Sequence, residues 1–181
     1  MRFPALPKEQ WTDGQRRVAQ EIAAGPRGEI RGPFLALIYS PELASRVQKL
    51  GEYLRFESAF SASLTEIAVL MTARKYDSAN VWHSHRALAL KAGLNPEIIA
   101  AVADRRRPEI MSGEESDIFD FADELLQTGQ VTDVTFRRVT MRWVECGAAD
   151  LIVLIGYYVT LCHVYNVSKF PLPEDAMPFK S

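Results

Sequence analysis

The sequence of 181 residues predicts an all-α fold, a single-domain helical bundle, on three observations. Capping residues and terminators bracket periodic apolar runs along the chain. No run of alternating β-branched residues lies between turn signals. The connections between the apolar runs are short. In order, Thr12-Asp13 opens a helix over 15–24 that Gly25-Pro26 stops. A glycine-bounded loop then carries Arg27 and Arg31, followed by a short apolar segment over 33–39. Ser40-Pro41-Glu42 starts a helix reaching about Arg55, with proline in the first turn. Ser63-Leu64-Thr65-Glu66 fits a capping box in front of the apolar run 67–73. A helix over 79–92 ends at Gly93, and Asn95-Pro96 opens another toward Asp104. Helices over 114–128, 133–146 and 148–167 complete the bundle, and a tail with three prolines, 171–181, is expected to lie extended.

The composition is that of an ordinary folded protein, 48% hydrophobic and 24% charged, which excludes a disordered or fibrous chain. A formal net charge of −2 argues against nucleic-acid binding on a broad basic face. Two cysteines, Cys146 and Cys162, make no disulfide framework, and they read as buried and inert. The first residues contain no apolar signal core, so a cytoplasmic location is expected. The apolar stretch 148–167 is long enough to cross a membrane. No other segment supports that reading, and it is expected to be a central helix buried on all sides, with Gly156 admitting a close neighbour.

The three histidines lie in two helices, His83 and His85 in one and His163 in the other. Val81, Leu88 and Ala92 share a helical face with His85, so the imidazole sits in an apolar stripe. Glu66 is the carboxylate best placed to orient and tune it as a general base, besides its reading as the capping partner of Ser63. His83 and His85 point to different sides of a helix and cannot chelate one ion together. A set of His85, His163 and Glu66 is the alternative, metal-dependent reading, but the main expectation is no metal and no cofactor. Arg74 is read either as a clamp for a substrate carboxylate or as a partner of Asp77 or the helix end. Arg105-Arg106-Arg107 reads as a solvated helix terminus.

Thr72-Ala73-Arg74, Trp82-His83-Ser84-His85 and Leu88-Ala89-Leu90-Lys91-Ala92-Gly93-Leu94 together resemble the carboxymuconolactone decarboxylase family, within the alkylhydroperoxidase D-like proteins. Gly32-Pro33-Phe34, Ser40-Pro41-Glu42-Leu43-Ala44, Gly156-Tyr157-Tyr158 and Phe170-Pro171-Leu172-Pro173 extend the resemblance over most of the chain. It implies an alkylhydroperoxidase D-like helical bundle assembled as a trimer or hexamer, with a site near a subunit interface. The peroxidase branch carries a glutamate, a CxxC pair and a histidine. Glu66 and His85 match, but the cysteine positions read Ser78 and Val81, so thiol peroxidase activity is not expected. The decarboxylase-like branch has a Tyr-Glu-Trp-x-x-His motif, of which Trp82 and His85 remain while Asn80 and Val81 replace the tyrosine and glutamate.

The resemblance therefore implies a cofactor-free lyase or isomerase on a small carboxylated or lactone compound, of the kind found in aromatic-compound catabolism. His85 and Glu66 are the expected catalytic pair. Arg74, Trp82, His83, Tyr157 and His163 are expected to bind substrate. A family member that binds a ligand without catalysis is the rival reading.

Overall fold

The computed structural model describes residues 1–174 and 176; the end of the expected extended tail, 175 and 177–181, lies outside them. Among the described residues there are eight α-helices and no strand. They are α1 (Asp13–Ala24), α2 (Phe34–Leu37), α3 (Pro41–Phe56), α4 (Ala62–Lys75), α5 (Ala79–Lys91), α6 (Pro96–Ala103), α7 (Gly113–Thr128) and α8 (Asp133–Ser168). The starts of α1 and α6 follow the capping residues read from the sequence. Thr12 and Gln15 close a capping box on α1, Ser112 and Glu115 another on α7, and Asn95 and Thr132 cap α6 and α8.

One start differs. The side chain of Ser61, not Ser63, accepts the backbone N–H of Leu64 and caps α4. Glu66 is thereby released from any capping role. Its helix is buried from Leu64 through Ala73 without interruption and touches α3, α5, α6, α7 and α8. This is the central helix of the bundle. Ile67, Ala68, Val69 and Leu70 place apolar atoms on every side, so no face of α4 is left for water. Thr72 removes its own polar cost by donating its hydroxyl to the Ala68 carbonyl at 2.8 Å.

The last helix is therefore not the one buried on all sides. Leu151, Leu154, Ile155, Tyr158 and Leu161 face the core, while Ile152, Val153, Gly156, Thr160 and Val167 form an exposed stripe. A Cβ at Gly156 would meet nothing within 4 Å, so no neighbouring helix approaches it. The helix is long and apolar enough to cross a membrane by length and composition, and 56% of its most apolar window is buried against the other helices.

α8 is also broken earlier than the expected junction near Gly147. Trp143 (φ −122°, ψ 16°) and Val144 (φ 51°, ψ −170°) leave helical geometry, and the chain resumes its helix beyond them. Trp143 turns onto Phe60, ring centroids 5.2 Å apart. Gly147 permits the crossing, because a Cβ there would collide with the Cβ of Trp143. The main core surrounds α4, and a smaller one of Trp11, Val18, Ile22, Phe34 and Ile38 joins α1 to α2 and α3. This smaller core holds the loop of Arg27 and Arg31 against the end of α8.

Candidate active site

Helical periodicity on α5 sends Val81, His85 and Leu88 to one side, as the sequence predicts, and that side opens on a cleft. His85 Nδ1 lies 2.7 Å from Glu66 Oε2 on the central helix. Both side chains are largely enclosed, 12% and 7% exposed. A carboxylate on a fully packed helix is costly without a partner, and His85 is that partner. With Nδ1 donating to Glu66, the Nε2 lone pair is left for the cleft. Tyr158 from α8 packs edge-on against the imidazole, centroids 4.9 Å apart at 85°, and holds the plane of the ring.

The cleft has a volume of about 370 Å³. Its apolar wall comes from Val81, Leu88 and Leu161, and its polar wall from Tyr158, Tyr165 and three arginines. Arg27 and Arg31 arrive on the loop between α1 and α2, and Arg55 from the last turn of α3. Gly32, at φ +59°, lets this loop turn back, and a Cβ there would strike the Tyr165 hydroxyl. Burial pushes the Tyr165 phenol up to about 12 and Tyr158 higher still, so both hydroxyls keep their protons as donors. Burial also holds Arg27 below its usual value, with repulsion from Arg55 and Arg31 acting in the same direction. On the far side of Glu66 a smaller cleft of about 290 Å³ is lined by Thr65, Glu66, Lys91 and Ala92, with Arg55 and Leu88 shared between the two.

The other expected site residues are placed as follows. Tyr157 is one layer behind the cleft, its ring edge-on to Tyr158 at 5.3 Å and its hydroxyl against Gly51. Burial raises its pKa against the pull of Arg27. Trp82 points into the main core, 5% exposed, and His83 is half-buried outside the cleft lining. His163 stands on the exposed side of α8, packed edge-on against Tyr76 at 4.9 Å. It does not join His85 and Glu66, and no group of three metal-ligating side chains comes together among the described residues.

Arg74 does not clamp a substrate beside His85. Its Nε donates to the Ala103 carbonyl at 2.7 Å and its Nη1 pairs with Asp77, which ties α4 to α6. The cysteines divide. Cys162 is buried, and burial pushes its thiol up to about 12, whereas Cys146 is exposed rather than buried.

Sequence reasoning missed Arg55, Tyr158 and Tyr165 and gave Arg27 and Arg31 no role. Arg55 looks like an ordinary basic residue of a last turn. The only signal for the other two arginines is their place in a loop bounded by glycines. No protein-family model matches this sequence, and no curated protein is significantly similar to it.

Proposed function

We propose that the chain is a cofactor-free acid–base enzyme of the carboxymuconolactone decarboxylase kind, a lyase or isomerase acting on a small carboxylated or lactone compound. The observation that carries this reading is the 2.7 Å contact of Glu66 Oε2 with His85 Nδ1 beside an electropositive cleft. Glu66 fixes the tautomer, and His85 Nε2 exchanges a proton with the substrate carbon or oxygen. For decarboxylation the electron sink is a conjugated carbonyl of the substrate itself. The arginines and tyrosine hydroxyls stabilise the enolate oxygen left as carbon dioxide departs, and His85 Nε2, having taken a proton from water, delivers it to carbon. Val81, where the decarboxylase-like motif carries glutamate, makes this wall apolar, which suits an isomerisation as well as loss of carbon dioxide.

The test is turnover on a panel of lactones and keto acids, with His85→Gln beside the wild type. A rate loss on the order of 10²-fold, with ligand affinity little changed, is expected. Near-normal turnover together with lowered thermal stability would make His85 a structural histidine and end the proposal. A cytoplasmic homo-oligomer, trimer or hexamer, is part of the same proposal, and the exposed Ile152–Val153–Gly156 stripe of α8 is a face that such an assembly would cover. Light scattering that reports a 20.4 kDa monomer at micromolar concentration would overturn the assembly.

A further inference from the structure

The charges around the cleft do not balance. Arg31 has Glu29 at 3.5 Å, a pair about two-thirds exposed on both sides. Arg27 and Arg55 have no carboxylate within ion-pair distance among the described residues, although both are half-buried. Of the other acidic groups nearby, Glu66 is engaged by His85, and Glu52 lies against Gly25 without an ion pair to either arginine. Arg27 in addition buries an Nε that has no hydrogen-bond partner. Elsewhere the partly buried arginines are matched: Arg74 with Asp77, and Arg138 with Asp117 and Asp120. Arginines without an acid, such as Arg86 and Arg137, stand in solvent.

From this we infer that Arg27, Arg31 and Arg55 form a binding site for a compact dianionic head group, a phosphate monoester or a closely spaced pair of carboxylates. Two half-buried guanidiniums on the wall of one cleft, stacked on Phe34 and Phe56 but without an ion-pair partner, cost stability unless a ligand brings the missing charge. A monoanion would leave one of them unmatched. Planar guanidinium forks bind the oxygens of such heads in pairs, and the Tyr165 hydroxyl adds a neutral donor. The volume of about 370 Å³ admits a small molecule. The apolar wall of Val81, Leu88 and Leu161 lies beside His85, so the carbon skeleton extends from the arginines toward the imidazole. The inference rests on reading this cleft as the substrate site, though not on the acid–base chemistry assigned to His85.

Calorimetric titration of the full chain with inorganic phosphate, malonate and acetate, at ionic strength held constant with sodium chloride, tests it. Phosphate or malonate is expected to bind at least about ten-fold tighter than acetate, and the tighter of the two identifies the head. Arg27→Gln and Arg55→Gln should each weaken that binding by about ten-fold. Arg31→Gln, at the exposed rim where folding is not at stake, should weaken it by about three-fold. His85→Gln should bind the dianion like the wild type, so a failure of the catalytic reading and a failure of the anion site appear in different measurements. Equal affinity for all three anions, no binding up to about 10 mM, or wild-type binding by Arg27→Gln and Arg55→Gln in folded protein would each overturn the inference.

Discussion

Two clefts of similar size carry arginines, one around His85 and one at the C-terminal end of α4, and they are built on opposite principles. The second, about 330 Å³, is lined by Arg74, Lys75, Arg105, Arg106 and Arg107 around Met71, Phe119 and Leu126. It holds more cations than the His85 cleft, yet each arginine has an acid. Arg74 and Arg105 share Asp77, Arg106 meets Asp104, and Arg107 pairs with Asp120. These pairs tie the ends of α4 and α6 to each other and to α7. In the His85 cleft Arg27 and Arg55 are unmatched, and the one buried carboxylate serves a histidine. Counting cations would choose the second cleft, whereas counting unpaired ones chooses the first. Their pairing distinguishes a brace from a binding site.

Removing the carboxylate that pairs with a lining residue of each cleft is the strongest way to break this comparison. Glu66→Gln should lower turnover by about 10- to 10²-fold, because His85 loses the group that sets its tautomer and orientation. Asp77→Asn in the brace should leave turnover unchanged. Equal losses from the two variants, measured on the same substrate, would mean that the clefts are not functionally distinct.

Val144 supplies a control, because its strained backbone lies in neither cleft. Val144 is a β-branched residue in a region of φ and ψ that is nearly reserved for glycine, and its side chain is 60% exposed. Val144→Gly is expected to stabilise the protein by about 1 kcal/mol, roughly 2–4 °C in Tm, by relieving strain. Phosphate or malonate binding should not change. A lowered Tm would show that Val144 is held there by packing worth more than the strain.

The arginines themselves should differ in sign. Arg55→Gln removes an unmatched charge and should stabilise the unliganded protein by about 0.5 kcal/mol, an effect that shrinks with salt. Arg107→Gln breaks an ion pair and should destabilise it by about 0.5–1 kcal/mol. Chemical denaturation in low salt reads both. Two losses of equal size would remove the distinction between brace and binding site.

The smallest effect is the pH dependence of that last penalty. Burial alone would raise Asp120, but hydrogen bonds from Arg107 and Arg138 outweigh it and hold the carboxyl below its usual value. A folded-state pKa below the unfolded one contributes stability that is complete above about pH 4 and lost as the pH falls through the folded value. The gap between wild type and Arg107→Gln should therefore be full at pH 6 and close on acidification below about pH 4, while the gain from Arg55→Gln persists. A gap that stays open in acid would mean that Arg107 acts through its packing over Phe119, 5.4 Å from the ring centroid, rather than through Asp120.

What the sequence determined by itself is local. Thr12 and Asn95 cap helices because a cap needs only a side-chain oxygen and a backbone N–H two or three residues away. His85 among Val81 and Leu88 was legible because helical period alone puts them on one face. Tertiary structure decided the rest. Two serines competed to cap α4, and the choice of Ser61 left Glu66 for His85. Either α4 or the end of α8 is apolar enough to be central, and only packing against five other helices settled that it is α4. Arg74 found Asp77 three residues away, while Arg27, Arg31 and Arg55 come from two separate segments and meet the tyrosines of α8 only in the folded chain. Helical periodicity reports which side of its own helix a residue occupies. Which distant side chains share a volume, and whether their charges cancel, depends on contacts that no local pattern encodes.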